Sequence, residues 1–144
     1  MAAPDRALAT TRRDLRSHLA ELEARGLLVR VSRPIDKDTE LHPLVRWQFR
    51  GLAETQRKAF LFENVRDSRG RAYDMPVVVG ALAGSEEIYA LSMACRSEEV
   101  PDVWRTALAS PLPAIVVNEA PVQEVVHMGD GLLEHGGLDE LPVP

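Results

Sequence analysis

Stretches in which apolar residues recur every three or four positions alternate along this chain with short runs that are apolar throughout, the signature of helices and strands in turn. Asp14 is a capping residue ahead of Leu15, Leu19 and Leu22, which share one helical face, and Gly26 stands where such a helix ends. Leu27 to Val31 reads as a strand closed by Pro34. Asp38 or Thr39 then caps a second helix with Leu41, Leu44, Val45, Trp47 and Gln48 on a mostly apolar face, Pro43 in its first turn and Gly51 at its end. Ala59 to Val65 is the next strand, and the turn-rich Arg66-Asp67-Ser68-Arg69-Gly70 closes it.

Met75 to Leu82 is an apolar run rich in valine, the pattern of a strand covered on both faces. Ser85 caps a helix from about Glu86 to Cys95, with Ile88, Leu91, Ser92 and Cys95 along one side. Pro101 begins a shorter helix carrying Val103, Trp104 and Leu108, which Pro111 and Pro113 break. Ile115 to Val117 and Val122 to His127 are expected as the last strands, joined by a turn at Glu119-Ala120-Pro121. These alternating signals predict an α/β (α+β) fold, a single domain with a mixed β-sheet flanked by helices. The expected organisation is a flexible arm over 1–13, the folded domain over 14–128, and a Gly/Pro-rich connector over 129–144.

Composition narrows the function classes. A chain of 144 residues is one domain with a core large enough to hold it without disulfides or metals. Its 17 basic and 22 acidic side chains leave a charge of −5. The basic cluster of Arg6, Arg12, Arg13 and Arg16 therefore reads as a solvated patch, since an acidic chain repels phosphate and no aromatics interleave those arginines. Cys95 is the only cysteine, which excludes an internal disulfide and a cysteine-based zinc site, and its apolar helical setting makes it a small hydrophobe rather than a nucleophile. No apolar run is long enough to cross a membrane, and Met1 to Ala9 lacks the apolar centre of a secretory signal, so the expected location is cytoplasmic.

Residues with chemical potential are few. His127, Asp130, Glu134 and His135 are suited by type to zinc or a hard cation, but their spacing matches no metal motif and glycines separate them. A solvated connector is the reading preferred over a metal hydrolase using His127 and His135. His18 is assigned to the polar side of the first helix and His42 to the first turn of the second, both as surface residues. Glu86, Glu87, Glu98 and Glu99 are acids at helix starts, where the helix dipole favours them. The loop Gly80-Ala81-Leu82-Ala83-Gly84-Ser85 follows a strand and opens a helix, so its amides are candidates for an anion. It lacks the closing lysine and the downstream acid of nucleotide loops, and tight strand-to-helix packing explains both glycines. The residues thus assign no catalytic, cofactor-binding or metal position to this chain.

The order of segments carries more than any one of them. Asp14-Leu15-Arg16-Ser17, Leu22-Glu23-Ala24-Arg25-Gly26 and Leu28-Val29-Arg30-Val31 resemble the opening helix and strand of the UbiD family of prenylated-flavin-dependent decarboxylases. Leu61-Phe62-Glu63-Asn64-Val65, Met75-Pro76-Val77, Gly84-Ser85, Ala90-Leu91 and Gln123-Glu124-Val125-Val126 follow in the family's order. Leu138-Asp139-Glu140-Leu141-Pro142-Val143-Pro144 resembles the segment leading into the flavin domain. The chain departs from the family at Ala81, where asparagine is frequent, and at Val122, where a cysteine commonly precedes the Gln-Glu pair.

The resemblance implies the N-terminal domain of a carboxy-lyase that decarboxylates an aromatic or α,β-unsaturated acid without oxidation. The complete enzyme would use prenylated FMN with a divalent metal, Mn or Mg, and potassium as a further ion. In the family the flavin-phosphate contacts, the metal ligands and the Glu-Arg-Glu catalytic set lie downstream of the matching segment. This chain stops at Pro144, where a longer protein is expected to continue, so none of those roles falls on its residues and the chain alone is expected to be inactive. Two partners are implied: a flavin-binding domain in the same polypeptide, or a separately encoded flavin-binding chain on which this one docks as a small accessory subunit, in either case within a homo- or hetero-oligomer.

Overall fold

A computed structural model describes residues 14–111, 113–114, 116–134 and 140–142. The expected arm, with Arg6, Arg12 and Arg13, lies outside the described residues, as do Ile115, His135 and 136–139. Helix α1 (Leu15–Ala24) begins as expected, its Ser17 amide donating to Asp14 Oδ1 at 2.7 Å. It ends in a Schellman turn, with Leu27 N–H donating to Leu22 O, Gly26 N–H to Glu23 O, and Gly26 at φ 69°. Leu22 and Leu27 are both buried in one cluster, so this turn also sets the angle at which α1 meets the sheet.

The strands form two three-stranded sheets, built from three ribbons that each contribute one strand to both. Strand β1 (Leu28–Val31) runs on after an interruption into β2 (Ile35–Asp36). Strand β3 (Ala59–Phe62) continues likewise into β4 (Val65–Arg66), and the third ribbon is β5 (Ala72–Tyr73) followed by β6 (Val77–Val79). The β1–β3 and β2–β4 pairs are parallel, whereas β3–β6 and β4–β5 are antiparallel, so each sheet is mixed, as expected. The centre of the β1–β3–β6 sheet is not as expected. The run from Met75 contributes an edge strand whose three valines are only half-buried, and β3 is central, with Ala59, Leu61 and Phe62 all buried. A strand at an edge lacks the second neighbour that would cover it.

Alternation along β3 assigns the two faces. Ala59 packs with Leu22, Leu27, Ile88 and Leu91 beneath α1 and α3 (Glu86–Ser92), whereas Phe62 packs with Ile35, Leu41 and Val65 beneath α2 (His42–Gly51). The parallel β1–β3 pair needs a crossover, and α2 supplies it. A π-helical turn over Lys37–Leu41 precedes α2. The cap is therefore Asp36, not Asp38 or Thr39, because its carboxylate accepts from the amides of both those residues at 2.8 and 3.0 Å. Asp38 instead accepts from Lys37 Nζ at 2.6 Å and from the Ser68 amide at 3.0 Å, and these contacts hold its carboxyl down at about 2. Gln48 is buried on the inner face of α2. Its amide donates to Lys58 O at 2.9 Å and accepts from Lys58 N–H at 3.0 Å, so it fixes the backbone where β3 begins.

Helix α3 stops at Ser92, three residues before the expected end at Cys95. Cys95 N–H donates to Ala90 O and Ala94 N–H to Leu91 O, a second Schellman turn, but the residue at φ 55° is alanine rather than glycine. Cys95 is the half-buried residue that follows the turn, its thiol 3.7 Å from Ala90 O, which is a structural role. An L-residue in the left-handed region costs about 1–2 kcal/mol. Ala94→Gly should relieve that cost, less the extra entropy glycine loses on folding, for a net gain of about 1 kcal/mol. A urea midpoint that rises with unchanged slope is the expected result, and a fall would show that the turn is not strained at this residue.

After α3 come a short 3₁₀ turn at Ser97–Glu99 and α4 (Val100–Ala109), the helix expected at Pro101. Beyond it the expected final strands are missing among the described residues. Val116 and Val117 are exposed irregular backbone, Pro121–Gln123 forms a 3₁₀ turn, and Val125 and Val126 are exposed. β-branched residues favour a strand only when a neighbouring strand accepts their hydrogen bonds, and here none adjoins them. One turn of helix, α5 (Gly131–Glu134), lies within the expected connector.

Candidate functional site

The loop from Gly80 to Ser85 is the one element whose sequence suggests ligand binding, and its hydrogen bonds are directed inward. Gly80 takes φ 77°, which suits glycine, and Gly84 N–H closes back on Gly80 O at 2.9 Å. A Cβ on Gly84 would sit 2.7 Å from that same oxygen, so the second glycine is required for close approach, as tight packing demands. The Ala81 carbonyl accepts from His18 Nε2 at 2.7 Å, and the Leu82 carbonyl from Ser92 Oγ at 3.1 Å. At the start of α3, Ser85 Oγ accepts from Ile88 N–H at 3.2 Å, and the Glu54 carboxylate accepts from the Glu86 amide.

That last contact ties the start of α3 to the segment before β3. The amides that would receive a phosphate already serve Ser85 and a carboxylate of the chain itself. His18, expected at the surface, is 7% exposed and spans from α1 to the loop. His42, by contrast, is exposed, as are Glu86, Glu87 and Glu98, while Glu99 is half-buried and Arg96 N–H donates to it.

An open cleft of about 390 Å³ lies between α1 and the end of α3, lined by Glu21, Arg25, Leu91, Cys95, Arg96 and Glu99. Its charges answer one another. Arg25 pairs with Glu21 at 2.8 Å, and Arg96 with Glu98 at 3.1 Å and Glu99 at 3.0 Å, contacts that raise the Arg96 pKa above its ordinary value. Arg30 likewise bridges Glu23 and Glu63 at the sheet surface, and its hydrogen bonds hold the Glu23 carboxyl below its usual range. These pairs are solvent-exposed and contribute little to stability individually.

The metal-type cluster falls on exposed residues where it is described. His127, Asp130 and Glu134 are all at the surface, and His135 lies outside the described residues. Among the described residues no three His, Cys, Asp or Glu side chains gather so as to hold a metal ion. No helix is long and apolar enough to cross a membrane among those residues. What the described surface does offer is apolar. Trp104 and Leu108 on α4 are 46% and 75% exposed, and further exposed valines follow. Periodicity picked out both residues as a helix face, but a sequence pattern alone does not tell a buried face from an open one.

Comparison with known proteins supplies the context. Residues 19–108 match the model of the 3-octaprenyl-4-hydroxybenzoate carboxy-lyase N-terminal domain. Among solved structures, the chain is similar to the UbiD-class enzyme HmfF from Pelotomaculum thermopropionicum in complex with FMN, at 30% identity and a TM-score of 0.66 over 90% of this chain and 26% of that one. It is also similar to an evolved dimeric form of the same enzyme in complex with prFMN, at 31% identity and a TM-score of 0.56 over 71% of this chain and 21% of that one. The chain thus spans about a quarter of the length of the solved enzymes it matches.

Proposed function

Because the chain belongs to the UbiD family, through that family's N-terminal carboxy-lyase domain, we propose that it is the non-catalytic N-terminal part of a prenylated-flavin-dependent decarboxylase. The observation that carries this reading is the family match over residues 19–108, in a chain that spans only about a quarter of the matching flavin-bound enzymes. In this reading residues 14–128 are the N-terminal unit and 129–144 the connector toward the flavin-binding part. The substrate is an aromatic or α,β-unsaturated carboxylic acid and the setting cytoplasmic. Prenylated FMN, with Mn or Mg and potassium, belongs to the flavin-binding part.

The geometry supports that division of labour. The glycine loop that opens α3 uses its polar groups to join α1, α3 and the sheet, which is a scaffold's chemistry. No step of the reaction is assigned to these residues. The test is to purify the chain from cells that make prenylated FMN. It should carry no stoichiometric flavin absorbance and release no carbon dioxide from aromatic or unsaturated acids. One flavin per chain would overturn the assignment.

A further inference from the structure

Helix α4 places Val100, Val103, Trp104, Ala107 and Leu108 at the i, i+3, i+4, i+7, i+8 positions of an amphipathic stripe. In a self-contained domain such a stripe faces the core. Here no residue of α4 is buried. The stripe is nevertheless held in place: Trp104 Nε1–H donates to Tyr89 Oη at 2.6 Å, which fixes the indole against α3 while leaving nearly half of it open. A preordered, half-open tryptophan is the residue type that most often anchors an interface hot spot.

Exposed apolar residues also have a direction along the chain. Of the fourteen large apolar side chains exposed among the described residues, nine lie at or after Trp104. The family model matched by this chain is an N-terminal domain and ends at Leu108, so the rest of a UbiD-class enzyme follows on that side. A second copy of this chain is the weaker occupant. A ten-residue helix is about 15 Å long, and one such stripe paired with itself falls short of the roughly 1,200 Å² that a stable specific interface buries.

We propose that the α4 stripe, centred on Trp104 and Leu108, is the docking surface for the flavin-binding part of the enzyme. This rests on the reading given under Proposed function and adds the surface to it. Burial of the stripe by that part would stabilise α4, so its backbone amides become the reporter.

The test replaces the matched quarter of Pelotomaculum thermopropionicum HmfF with this chain and compares hydrogen exchange over residues 100–109 in the fusion and in the 144-residue chain alone. The expected result is a fusion that purifies with FMN and exchanges at least tenfold more slowly over α4. The variant Leu108→Glu should abolish that protection in the fusion while leaving the melting temperature of the isolated chain unchanged, because that side chain is 75% exposed there. An FMN-bound fusion whose α4 exchanges as fast as in the isolated chain would overturn the docking surface alone. An isolated chain that is already dimeric with a protected α4 would do the same, by naming a second copy as the occupant. A fusion that carries no FMN would count against the parent reading, and the surface would fall with it.

Discussion

Gly84→Ala should destabilise the chain by about 3 kcal/mol, although it adds a single methyl group. The new Cβ would lie 2.7 Å from Gly80 O and 3.3 Å from Ile88 Cδ1. The terminal Cδ1 methyl of Ile88 can shift by a few tenths of an ångström, but the Gly80 oxygen is backbone, positioned by the Gly84 N–H bond and by the left-handed conformation of Gly80. Relieving the contact therefore requires the turn to open, and opening it moves the Ala81 and Leu82 carbonyls away from His18 and Ser92. Overpacking a tight site costs about 1–3 kcal/mol before any hydrogen bond is lost. The loss of one buried bond adds about 1 kcal/mol. Urea unfolding of the 144-residue chain measures this directly, and a change below about 0.5 kcal/mol would show that the turn is looser than its contacts imply.

Much of the fold is legible in the sequence because its signals are local. Asp14 and Ser85 cap the helices they were expected to cap, and Gly26 ends α1, since each acts through bonds to residues within three or four positions. What is not legible depends on distant partners. Val77 to Val79 look central by composition, yet which strand lies in the middle is settled by pairing across the chain. Val125 and Val126 look like strand residues for the same reason, and lack a strand beside them. The capping acid is Asp36 rather than Asp38 or Thr39 because a π-helical turn precedes α2 and begins right after β2, and residue type alone does not say which acid faces the free amides. The close approach of Gly84 to Gly80 follows from residue type, whereas the partner of the Glu86 amide, Glu54, lies 32 residues away and carries no signal in the sequence.

His18 shows how position can outweigh residue type, and it carries the second large effect. It sits four residues before the fully buried Leu22, which places it on the buried face of α1. Its type argued for the surface, but spacing prevails, and Leu15 is the residue left 54% exposed. The Ala81 carbonyl can only accept, so His18 Nε2 carries the proton and donates at 2.7 Å in a buried setting. His18→Ala removes the donor, leaves that carbonyl without a partner at a cost of about 1–3 kcal/mol, and opens a cavity under α1. The combined loss should be about 3 kcal/mol. His18→Gln keeps a side-chain N–H of similar reach and His18→Leu a similar volume without one, so the glutamine variant should lose distinctly less than the leucine variant, which separates the hydrogen bond from the volume. Equal losses for the two variants would assign the effect to packing alone. Because Ala81 lies between Gly80 and Gly84, double substitution of His18 and Gly84 should cost less than the sum of the single losses: a turn already forced open has no bond to His18 left to lose.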